Sequence, residues 1–140
     1  MTVLIQRTTD EVGDAVPVRV DRHTLYKRRW RAIANDGTEL AVDLESPVGD
    51  GAYLYSAKAE RAFQVSQNKE RVLVIPLPER PEMAAKIGWY LGNQHLPVEV
   101  RDTEILLEPV KTLAKSLDRI GIPYLYREEV FKCKMHSHQH

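Results

Sequence analysis

The sequence is poor in cysteine. Its only thiol is Cys133, so no internal disulfide can form, which fits a reducing compartment. Charge of one sign is lacking too: 20 Lys and Arg balance 20 Asp and Glu. That removes the broad basic field that draws proteins to nucleic acid or anionic membranes. No apolar run approaches the roughly 18 residues of a membrane span. The opening MTVLIQRTTDEVG has neither the basic start nor the long apolar stretch of a secretory signal. No Gly-rich phosphate loop occurs. Cys133 sits near the C-terminus among lysines, with nothing to orient a base against it, and reads as a tail cysteine rather than a nucleophile. Glu128 and Glu129 are adjacent and point to opposite faces of a strand. These absences predict a cytoplasmic protein that is not an enzyme, binds no nucleic acid and enters no membrane.

What is present suffices for one domain or two small ones: 140 residues, 43% hydrophobic and 29% charged. The first half reads as β structure. Val16, Val18 and Val20 alternate with Pro17 and Arg19, the pattern of a half-buried strand. Asp36-Gly37 marks a hairpin, and Leu40, Val42 and Leu44 alternate beyond it. SPVGDG at 46–51 is a turn cluster, and AYLYSA and AFQVSQ are strand-like. No segment before residue 70 shows a helical period. The basic run Lys27-Arg28-Arg29 with Arg31 surrounds Trp30. It reads best as a solvated edge strand with its aromatic turned inward. His23 is expected at the surface without a role.

The second half changes character. RVLVIPL at 71–77 is a continuous apolar run suited to a strand buried on both faces. Pro81 opens a helix in which Met83, Ala84, Ile87, Tyr90 and Leu91 share a face, and Gly92-Asn93 supplies a stop. VEVRDTEILLEP divides into two short strands about Asp102-Thr103. VKTLAKSLDRIGIP places Val110, Leu113, Ala114, Leu117 and Ile120 on one helical face, ended by Gly121. YLYREEVF is a last strand. The expected fold class is α+β: an N-terminal all-β domain over 1–70, then a ferredoxin-like βαββαβ domain over 71–132. A short flexible His-containing tail over 133–140 completes the chain.

Three of the five histidines, His136, His138 and His140, alternate in KMHSHQH. Such a segment cannot bury a core, and imidazole is a good ligand for Ni, Cu, Zn and Co. His95 follows the helix stop and precedes Pro97, so it is expected on a surface corner. A histidine there can simply oppose the negative end of the helix dipole. It can also bind metal, but one exposed imidazole is too few for a tight site. A two-fold symmetric homodimer would supply two, and tethered tail histidines would add more.

GWYLGNQHLPVEV closely resembles the G-N-x-H-x-P motif of the UreE family, urease accessory proteins that act as nickel metallochaperones. RRWRAIANDGTELAVDL followed by GDGAYL is similar to that family's N-terminal β domain, and VLVIPL through YLYREEVF to its ferredoxin-like domain. The resemblance implies a non-enzymatic carrier of Ni²⁺ in which His95 from each subunit of a homodimer contributes to an interfacial site. It implies that His136, His138 and His140 bind further nickel or close the site. It also implies that the N-terminal domain engages partners in a peptide-binding manner, and that nickel passes through an accessory GTPase to the apo-urease assembly. Cu²⁺ and Zn²⁺ are expected to compete for the same donors. Gln94 stands where many family members carry arginine, and the short tail favours delivery over storage. The alternative reading is a non-enzymatic peptide- or protein-binding module with incidental metal binding.

Overall fold

A computed structural model describes residues 2–133. The chain divides into two compact units, with the boundary between Asn68 and Lys69. The first unit contains β1 (Thr2–Ile5), β2 (Arg7–Thr9), β3 (Val16–Val20), α1 (Arg22–Leu25), β4 (Arg29–Ile33), β5 (Glu39–Asp43), β6 (Tyr53–Ser56) and β7 (Arg61–Gln67). Its strands form two sheets, in the orders β1-β5-β4 and β2-β6-β7-β3. Alternation along the strands sends Val18, Val20, Leu40, Val42, Phe63 and Val65 into one apolar core. Trp30 is buried while Arg29 and Arg31, on an edge strand, stay exposed, as the pattern of the basic run predicts.

Two features of this unit depart from the sequence reading. The helix α1 exists, as a single turn capped by the Asp21 carboxylate, which accepts the Thr24 N–H at 2.7 Å. Four residues are too few to display a period, so no periodic signal could reveal it. The strands β1 and β2 lie in a segment read only for the absence of a signal peptide. TVLI carries no alternation, although Val3 and Ile5 point into the core and Leu4 out.

The second unit contains β8 (Glu70–Pro76), α2 (Pro81–Asn93), β9 (Val98–Val100), β10 (Glu104–Leu107), α3 (Lys111–Ile120) and β11 (Leu125–Glu129). The sheet order is β11-β8-β10-β9, antiparallel throughout. Element order and strand order are those of a split βαβ unit. One face, through Leu73, Ile75, Ile105 and Leu107, packs on Ile87 and Leu91 of α2 and Leu113 and Leu117 of α3. Met83, Val110 and Ile120, expected on those helical faces, are exposed. They sit at the helix ends, where the stripe runs past the sheet.

Val72, Val74 and Leu106 point to the opposite face and are fully buried, so β8 is apolar on both sides. Register places Glu99, Glu104, Arg127 and Glu129 on that same face. They form a connected ion-pair network with Arg101. Arg101 contacts Glu99 at 2.9 Å and Glu129 at 3.0 Å, and Arg127 contacts Glu129 at 2.7 Å and also Glu104.

Candidate metal centre

Pro81 occupies the first turn of α2, where its missing N–H costs nothing. The helix runs through Gly92 and Asn93 and stops only at Gln94. The Gln94 N–H donates to the Leu91 carbonyl at 3.1 Å and the His95 N–H to the Gly92 carbonyl at 3.0 Å. His95 itself adopts the left-handed conformation, with φ of 56°. At the end of α3 the same role falls to Gly121, with φ of 76°. Glycine takes that conformation without steric cost, whereas a residue with a Cβ is strained by about 1–2 kcal/mol. Pro97 bars Leu96 from returning to the helix.

The strained corner presents an imidazole to solvent, for His95 is exposed. The last turn of α2 contains no basic residue, so its partly negative carbonyl end is uncompensated. A cation held on the imidazole would meet a favourable field there. Among the described residues no group of three or more His, Cys, Asp and Glu side chains could hold an ion. One chain's folded part therefore offers His95 as an isolated donor. The other expected ligands, His136, His138 and His140, lie outside the described residues. His23 is exposed on α1, beside Tyr26.

Cys133 corrects an expectation. The sequence pattern places it in the flexible tail, yet it is buried, as is Phe131. Between them the Lys132 N–H donates to Glu99 Oε1 at 2.7 Å. Alternate residues thus turn inward while the intervening amide is tied to β9, and the folded unit includes Cys133.

Trp89 is a further residue of interest that the helical period alone does not single out. It lies on the side of α2 opposite the Ile87–Leu91 stripe, at about 3.6 residues per turn, and is 70% exposed. Gly88 and Gly92, one turn apart, line the exposed surface to one side of it, and a Cβ on either would meet nothing within 4 Å among the described residues. A tryptophan beside two glycines, away from the apolar stripe of an amphipathic helix, is a legible signal of an outward-facing contact.

Fold and site together describe an α+β protein of two small units that offers a surface donor on a helix terminus. The sequence profile of the family described as "UreE urease accessory protein, C-terminal domain" matches residues 70–140. The proteins named "Urease accessory protein UreE" from Staphylococcus aureus strains MRSA252, Newman and USA300 are each 32% identical to this chain over 127 residues. Those alignments cover 86% of this chain and 83% of the relative. The chain belongs to the UreE family.

Proposed function

We propose that the chain is a metallochaperone that carries Ni²⁺ for assembly of the urease active site. The ion is held by the His95 imidazoles of two copies, and His136, His138 and His140 supply further donors. It is then passed through an accessory GTPase to the apo-urease complex. The observation that carries this reading is the His95 corner: an exposed imidazole, in a left-handed conformation that glycine would adopt more cheaply, at an uncompensated helix C-terminus. Of the two exposed non-glycine residues with positive φ among the described residues, Glu60 and His95, only His95 carries a good donor for nickel and follows a helix end, and strain retained there points to a task for its side chain.

The donor count supports the dimer, because a single imidazole leaves most of a nickel shell to water. So does α2. Gly88 and Gly92 each weaken a helix by about 1 kcal/mol relative to alanine, and no neighbour among the described residues requires them to be small. Close approach of a second copy's backbone beside Trp89 gives a reason for both. A site of two imidazoles and tethered donors is open enough to release its ion to a partner with better ligands. Metal and protons compete for the same nitrogens, so loading weakens on acidification. Donor chemistry alone ranks copper above nickel; metal supply and the receiving partner set the identity of the cargo.

Titration calorimetry with Ni²⁺ tests the reading. His95→Ala is expected to lose the tight binding event while its circular dichroism stays that of the parent. Tight binding that survives unchanged in this variant would remove the assignment.

A further inference from the structure

In the first unit a cleft of about 760 Å³ runs beside β1, within the size range of clefts that bury a ligand. The consecutive residues Thr2, Val3 and Leu4 line it, and residues 55–59, at the turn from β6 to β7, complete the lining. Successive side chains of a strand point to opposite faces. A cleft that meets three residues in a row therefore follows the edge of β1 and not one of its faces. That edge is open: β1 ends its sheet and pairs only with β5, and among the described residues no other backbone group bonds to it. A strand at a sheet edge leaves a row of N–H and C=O groups unpaired, a template to which another extended chain can add.

The cleft also holds two cations, Arg7 and Lys58. Arg7 stands directly opposite Tyr55 in the β2–β6 register, with its guanidinium 5.0 Å from the centre of that ring. Stacking orders a guanidinium without using its N–H donors. Lys58 is carried by a tightly built turn. The Ala59 N–H donates to the buried Ser56 Oγ at 3.1 Å, the Glu60 N–H donates to the Ala57 carbonyl at 3.3 Å, and Glu60 is left-handed with φ of 52°. The strain at Glu60 thus closes the turn that presents Lys58. Both cations are exposed, and neither has a carboxylate partner among the described residues. Leu4, 53% exposed, adds apolar surface. We infer that this cleft takes an extended acidic segment of a partner protein, which adds to β1 as a further strand and sets its carboxylates against Arg7 and Lys58. Unpaired cations beside an open strand edge select a carboxylate-bearing chain over a basic one. A nucleic acid would use the cations but leave the strand edge and Leu4 unmatched. The inference is independent of the metal site, whose test is His95→Ala.

The probe is a capped, dye-labelled peptide of alternating glutamate and valine, titrated with the full chain and followed by fluorescence anisotropy. Binding is expected, and it weakens as salt rises. The lysine–valine counterpart and oligothymidylate are expected not to compete. Arg7→Glu and Lys58→Glu together should weaken binding about tenfold and admit the lysine–valine peptide, a gain that misfolding does not produce. N-methylation of alternate peptide amides tests the strand. Methylating the set that faces β1 abolishes binding, and methylating the other set leaves it intact. Hydrogen exchange at amides within Thr2–Ile5 slows when the peptide is bound. Absence of binding, competition by oligothymidylate, equal loss from both methylated sets, or parental binding by the double variant would overturn the inference.

Discussion

At the scale of the residue, the task proposed for His95 comes with a structural penalty. Its left-handed backbone is one that glycine adopts freely, so His95→Gly is expected to stabilise the second unit by about 1 kcal/mol. The same change removes the donor. Urea denaturation and Ni²⁺ titration of one variant should therefore move in opposite directions, the midpoint up and the affinity down; a lower midpoint would show that the imidazole, not its backbone, secures the corner. The sequence revealed this corner only partly. Pro97 placed a break after the helix, and Gly92-Asn93 marked a terminus. Those two are the residues that usually take the left-handed position, but the helix continues through both and the twist falls on His95. Propensity could not place it there, because the hydrogen bond from the His95 amide to Gly92 depends on where the packed helix stops.

At the scale of the element, the turn between β4 and β5 is held by Asp36. Its carboxylate accepts the Thr38 N–H at 3.0 Å and is also bonded to Arg61 of β7. The Thr38 backbone, the Thr38 hydroxyl and then Arg61 pull its pKa from 3.8 down to about 2. A depressed folded value means the contact stabilises fully above the ordinary carboxylate range and is lost as pH falls towards 2. Asp36→Asn should flatten the loss of stability in that acid window, measured by urea unfolding at a series of pH values; an unchanged slope would mean that other carboxylates govern it. Glu104 and Glu129 add to acid sensitivity in the second unit. Arg127 lowers Glu104 against the opposing effect of burial. For Glu129 burial raises the value, and Arg101 and Arg127 together outweigh it. Elements with a long period were legible: the stripe of α3 does bury Leu113 and Leu117. Leu117→Ala is expected to cost about 2–5 kcal/mol, read as a lower unfolding midpoint. Elements decided by partners were not. The strand β1 is defined by parallel pairing with β5, and nothing in a threonine and three apolar residues announces a partner more than thirty positions away.

At the scale of the whole molecule, the question is what a second copy would change. The outward side of α2 carries Ala85, Gly88, Trp89 and Gly92, with Trp89 70% exposed. In a lone chain this is a poor helix surface, since each glycine adds conformational entropy to the unfolded state and packs nothing. In a pair it becomes useful: small residues let two backbones approach, and tryptophan fills the contact with large area at little rotamer cost. His95 lies six residues beyond Trp89, so under the proposed pairing the same approach would bring the two imidazoles towards one ion. Two substitutions separate the lone chain from the pair. Gly88→Ala improves helix propensity by about 1 kcal/mol and meets no neighbour among the described residues, so the monomer should gain stability while the proposed dimer weakens. Trp89→Glu removes the contact and sets two like charges against each other, leaving the Ile87–Leu91 core untouched. Light scattering across a dilution series with and without Ni²⁺ should show both variants dissociating at concentrations where the parent stays paired, with Trp89→Glu the more severe. Nickel affinity should fall with them, because a His95 without its counterpart is one ligand. Parental mass and parental affinity in Trp89→Glu would place the two-fold axis elsewhere, and α2's glycines would then need another explanation.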